Sequence, residues 1–162
     1  MVHLQELSQF CDAGHTTSRF HNFPKKGILV IDDDPTFRDL IRTVGQALKL
    51  PVTTVASLEE MPSFAALKDY DIAIIDFNLE SFCGIEIAEY VDVFFKSLPV
   101  LIISSENLDP AAANRWPSCI KKFVHKSFGP FAILHRSMNL WNEEQESNLG
   151  KRPLSNAAGF SD

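Results

Sequence analysis

From Gly27 onward the chain alternates short, unbroken apolar runs with stretches of helical periodicity. ILVID (28–32), VTTVA (52–56), IAIIDF (72–77), PVLIIS (99–104) and IKKFVHK (120–126) read as strands. Runs so short and so uniformly apolar suit a sheet covered on both faces. In DPTFRDLIRTVGQAL (34–48), Phe37, Leu40, Ile41, Val44 and Leu48 share one helical side. Asp34 is a good N-cap there and Pro35 fits the first helical position. Residues 57–69 predict a second helix, which Pro62 kinks or delays. GIEIAEYVDVFFKS (84–97) turns Ile85, Ala88, Val91 and Phe95 inward. A weak helix is expected at 107–115, stopping before Pro117. The last helix is expected from Pro130 to about Gln145, with Phe131, Leu134, Met138 and Trp141 as core candidates.

Strands that alternate with helices imply βαβ units. The expected fold is α/β: a doubly wound, five-stranded parallel sheet with helices on both faces. Residues 27–146 make the domain. Residues 1–26 read as an N-terminal extension, in which Val2, Leu4, Leu7 and Phe10 could line a short helix. Residues 147–162 read as a mobile, polar tail.

Composition narrows the function. A chain of 162 residues is one domain's worth. Its formal charge of −6 argues against nucleic acid as a partner, because that affinity rests on clustered positive charge. Cys11, Cys83 and Cys119 are scattered, with no CxxC, and read as reduced thiols in a cytoplasm. No apolar stretch approaches the ~20 residues of a membrane span, and the first residues do not read as a signal peptide.

The chemistry lies at the strand ends, where open α/β sheets bind their ligands. Strand 1 ends in Asp32, Asp33 and Asp34, strand 3 in Asp76, strand 4 in Ser104 and Ser105, and strand 5 in Lys126. Each alone is most simply a turn or cap residue; their joint occurrence is not. Two like charges about 4 Å apart repel by about 4 kcal/mol at an effective dielectric of about 20. Lys126 answers part of that charge and a hard divalent ion the rest; Mg²⁺ favours a few carboxylates plus water and phosphate oxygens. Such a site suits phosphoryl transfer to a carboxylate, with the ammonium and the metal stabilising the equatorial oxygens.

These residues resemble the response-regulator receiver family over about residues 27–146. ILVIDDDP resembles the family's first strand and acidic pair. IAIIDFNLESFCGIE resembles its phosphoacceptor segment, with Gly84 eight residues past Asp76. LPVLIIS and KKFVHKSF resemble the strands that end in the switch hydroxyl and the lysine. The resemblance implies a flavodoxin-like fold and a bacterial, cytoplasmic, two-component signalling protein rather than an enzyme. It implies that Asp76 is phosphorylated, that Mg²⁺ (or Mn²⁺) is bound by Asp33, Asp76 and the backbone carbonyl of Asn78, and that Asp32 acts through a water. Ser104 and Lys126 would hold the phosphoryl group, Phe123 would be the switch aromatic, and Asn78 and Glu106 would tune dephosphorylation. A sensor histidine kinase or histidine phosphotransfer protein would supply the phosphoryl group, and a downstream protein target would read it. Three positions depart from the family pattern: Ser127 follows the lysine in place of proline, Glu80 replaces another proline, and Pro117 interrupts the fourth helix.

Two other readings compete. A receiver-like module could work without phosphorylation, purely by interaction. Asp32, Asp34 and Thr36 also spell DxDxT, the first motif of haloacid-dehalogenase-type phosphatases, but that reading leaves Asp76 unexplained. The sixteen residues after 146 are too few for a DNA-binding output domain, so the sequence reads as a stand-alone receiver or a piece of a longer chain.

Overall fold

The computed structural model describes Pro24, residues 26–108 and residues 112–150. The expected N-terminal helix, Cys11, and the tail beyond Gly150 lie outside the described residues. Among those described, five strands form one all-parallel sheet: β1 (Ile28–Ile31), β2 (Val52–Val55), β3 (Ile72–Asp76), β4 (Val100–Ser104) and β5 (Ile120–His125), in the order β2-β1-β3-β4-β5. Three α-helices accompany it: α1 (Pro35–Ala47), α2 (Gly84–Phe94) and α3 (Gly129–Gly150). The doubly wound α/β fold is thus the one expected.

Alternate residues of each strand feed opposite cores, as the pleat requires. Ile28, Val30, Ile72, Ile74, Leu101 and Ile103 pack toward Phe37 and Ile41 of α1 and Ile133 and Leu134 of α3. Leu29, Ile31, Ala73, Ile75, Val100 and Ile102 pack toward Ile87, Ala88 and Val91 of α2. Each side is apolar, so the central strands show no polar alternation.

The start of α1 follows its sequence. Asp34 is extended (φ −73°, ψ 109°), and its carboxylate accepts from the Thr36 amide at 2.8 Å, with Pro35 opening the helix. Gly45 lets α1 lie flush on β2: a Cβ there would sit 2.6 Å from Val52 Cγ2.

Several expected elements differ. Residues 57–69 form two 3₁₀ turns, Leu58–Glu60 and Phe64–Asp69, not one α-helix. Pro62 favours extended backbone at the residue before it, and Met61 is extended (φ −77°, ψ 147°). Of the helix expected at 107–115, residues 109–111 lie outside the described residues, and Ala112–Arg115 form a 3₁₀ turn that stops before Pro117. Leu40, expected to face inward, is half exposed, while Ile87 is buried although it was not expected to be. The last helix runs to Gly150, past Ser147 where the tail was expected to begin. Among the described residues, no helix is long and apolar enough to cross a membrane.

Candidate functional site

Register brings the strand ends to one rim. Ile31 pairs with Val55 and Ile75, Asp76 with Ile103, and Ser104 with His125. The residues that follow or close these strands therefore sit at one end of the sheet, beside the switch in strand order between β1 and β3.

Asp32, Asp33 and Asp76 each offer a carboxylate oxygen, and these oxygens lie within 4.8 Å of one another. Lys126 joins the group through its Nζ, 2.8 Å from Asp32 Oδ2 and 2.8 Å from Asp76 Oδ2. Asp32 is fully buried; its other oxygen accepts from the Asp34 amide at 3.0 Å. The more open Asp33 accepts from the Glu80 amide at 3.0 Å, across the loop that follows β3.

Burial pushes the pKa of both Asp32 and Asp76 upward, even though the hydrogen bonds and charge of Lys126 pull the other way. Burial likewise opposes the Lys126 ammonium, but its bonds to the two carboxylates outweigh it and its pKa is raised. One ammonium thus faces three carboxylates and leaves the buried pair short of positive charge. A hard divalent cation fits that donor set: oxygen ligands only, few in number, with surplus negative charge. The residues present are compatible with Mg²⁺.

The neighbouring residues hold this cluster. Gly84 is tight against β3: a Cβ would lie 2.2 Å from the Asp76 carbonyl oxygen. Its amide donates to Phe77 O at 2.8 Å, so α2 starts directly against the strand end. Ser104 is buried at the end of β4, and its hydroxyl accepts from the Glu106 amide at 3.0 Å. Asn78 is exposed in the β3–α2 loop, where it forms an antiparallel bridge with Cys83, and its amide bonds the Asp76 carboxylate. The Glu106 side chain is exposed. Phe123 is half-buried on β5 in the core beneath α2, with its ring 6.5 Å from that of Trp116. Ser127, where the family has proline, donates its amide to His125 Nδ1 at 3.2 Å.

Three contributions were not read from the sequence. Arg38 donates to the Asp32 carbonyl at 2.6 Å. The Phe37 ring centroid lies 4.9 Å from Lys126 Nζ. The Glu80 amide holds Asp33. The helical pattern of α1 placed Phe37 inward, but nothing in it showed that its ring meets the lysine just past β5; an amide contact carries no side-chain signal at all. Asp34, the second acid of the DxDxT string, is exposed and caps α1, and the metal-competent group consists of Asp32, Asp33 and Asp76.

Comparison with known proteins agrees with this picture. Residues 28–137 match the response regulator receiver domain. The regulatory protein VirG of Agrobacterium fabrum is 31% identical over 93 residues, which is 57% of this chain and 36% of that protein. The chain thus spans about a third of the length of this relative and of a second VirG, from Rhizobium rhizogenes, of which 35% is covered. Among solved structures, a CheY-like receiver domain protein from Methanospirillum hungatei superposes with a TM-score of 0.62 at 17% identity, covering 74% of this chain and 96% of that one. The response regulator TrrA of Thermotoga maritima, solved in complex with Mg²⁺-BeF, superposes with a TM-score of 0.56 at 25% identity, covering 70% and 96%. By its five-stranded fold, its acidic rim and this match, the chain belongs to the response regulator receiver domain family.

Proposed function

We propose that this domain is a phosphorylation switch in which Asp76 accepts a phosphoryl group from a histidine kinase or histidine phosphotransfer protein. The carrying observation is the double contact of Lys126 with Asp32 and Asp76, 2.8 Å each, beside Asp33. In the transfer, an Asp76 carboxylate oxygen forms a bond to phosphorus as the donor's P–N bond breaks, and the imidazole leaves with the electron pair and takes a proton. The product is an acyl phosphate. Asp33 and Asp76, with the Asn78 carbonyl, would hold Mg²⁺, or Mn²⁺ in its place, with Asp32 acting through a water; the ion would neutralise charge on the acids and on the transferring group. Lys126 would keep its ammonium on the phosphoryl oxygens, and the Ser104 hydroxyl would turn from the Glu106 amide toward them. Phe123 would follow Ser104, which couples the site to a surface read by a protein target. Asn78 and Glu106, both exposed beside the site, would set the lifetime of the acyl phosphate. The work is that of a cytoplasmic signalling domain, without turnover of a separate substrate.

Incubation with acetyl phosphate and Mg²⁺, followed by intact mass measurement, tests this reading. One added phosphoryl group is expected, and none in Asp76→Asn. If wild type stays unmodified yet binds its target, the domain is an interaction module that does not use phosphorylation.

A further inference from the structure

At the opposite end of the sheet, α2 leaves an apolar face uncovered. Tyr90, Val93 and Phe94 lie one helical turn apart and remain 56%, 64% and 63% exposed. Tyr90 and Phe94 touch ring to ring at 5.3 Å, and Tyr90 meets Phe64 edge-on at 4.9 Å. Other large exposed apolar side chains among the described residues, such as Leu40 on α1 and Phe128 before α3, belong to separate elements. Contiguous exposed aromatic surface of this kind marks an interaction site.

Val93 and Phe94 also line a groove of about 770 Å³, together with Leu98 and Pro99 and with Glu144 and Asn148 of α3. Lys26 stands on its rim. It is held there by its amide on Asp71 Oδ2 at 2.8 Å and its Nζ on the Lys68 carbonyl at 3.0 Å. Pro24 is already buried. Lys26, two residues past Pro24, thus fixes the start of the described chain against this groove.

We propose that the N-terminal segment, residues 1–23, is the occupant of this groove and covers the α2 face through Phe20 and Phe23. From Lys26 back to Phe20 an extended chain spans at most about 20 Å, enough to cross such a groove. The short tether gives the segment an effective concentration in the millimolar range, so a weak apolar contact suffices to fill the site. A second copy of the chain has no such advantage. The uncovered face of three side chains is also small beside the roughly 800 Å² per partner of a stable interface. The strap lies at the foot of the sheet, away from Asp76, so the phosphorylation reading and this one stand or fall separately.

Hydrogen exchange on the full 162-residue chain and on Phe20→Ser/Phe23→Ser tests the proposal. Amides at the end of α2 and in residues 95–99 should exchange at least tenfold faster in the variant, at any protein concentration. A benzophenone side chain at position 23 should crosslink within the same chain to α2. Equal exchange in both proteins overturns the proposal. So does protection that grows with protein concentration alongside dimers in light scattering, which would assign the face to a second copy. Val93→Ser/Phe94→Ser supplies the reciprocal check: a crosslinking yield unchanged by it also overturns the proposal. Acetyl phosphate labelling should be the same in every one of these proteins.

Discussion

At the scale of the residue, the site is governed by unequal charge. Asp33 has two carboxylate neighbours and a backbone amide, while Lys126 contacts the other two acids. Replacing Asp33 with Asn should therefore stabilise the metal-free protein, by about 1 kcal/mol, a solvent-screened share of the repulsion between close like charges. The same change should abolish stabilisation by Mg²⁺. In wild type, Mg²⁺ at a hundred times its dissociation constant should add about 2.7 kcal/mol. Urea midpoints with EDTA and with Mg²⁺ check both expectations. Cys119 gives a pH signature elsewhere in the fold. Burial, together with the nearby Asp92 charge, pushes its thiol up from 9.0 to about 12, and its Sγ donates to the Ala88 carbonyl at 3.2 Å. Folding raises this pKa, so its contribution to stability is whole below pH 9.0 and is lost as pH climbs toward about 12. Iodoacetamide at pH 9 should label native Cys119 slower than unfolded Cys119 by a factor on the order of a thousand.

At the scale of the element, Gly84 couples α2 to β3. A methyl group there meets the Asp76 carbonyl oxygen at 2.2 Å, so the helix start must move away from the strand end. Gly84→Ala should cost ~2–3 kcal/mol, as overpacking against backbone does, and should slow labelling by acetyl phosphate. Asp34→Ala removes the α1 cap and should cost about 1 kcal/mol, while leaving the carboxylate cluster intact; thermal midpoints separate the two. This cap was legible in the sequence because Asp, Pro and Thr in succession act through local backbone geometry. The strands were legible because burial on both faces demands unbroken apolar runs. Residues 57–69 were not: their apolar spacing suits a helix, but Pro62 divides them into pieces only long enough for 3₁₀ turns. Ala112–Arg115, just before Pro117, is likewise only a 3₁₀ turn. For the site, the acids and the lysine could be named because each closes a strand, and a parallel sheet aligns its strand ends. The Phe37 and Arg38 contacts could not, since they depend on how α1 crosses the rim.

At the scale of the whole molecule, the rim and the foot of the sheet have different characters. The rim gathers three acids and a lysine. The foot exposes aromatic side chains of α2 beside a groove that Lys26 lines. The chain's net charge is −6, and three of its acids meet at this rim. In the proposed switch, conversion of Asp76 to an acyl phosphate would bring phosphoryl oxygens to Lys126, and the buried Ser104 hydroxyl, which accepts from the Glu106 amide, would change partner.

Borohydride trapping tests this account most directly. The protein is treated with acetyl phosphate and Mg²⁺, reduced to convert any acyl phosphate to an alcohol, digested and mapped by mass spectrometry. Homoserine is predicted at position 76 alone, and its yield should fall to background with EDTA. Homoserine at position 32 or 33, or none at all in protein that remains folded, would contradict it.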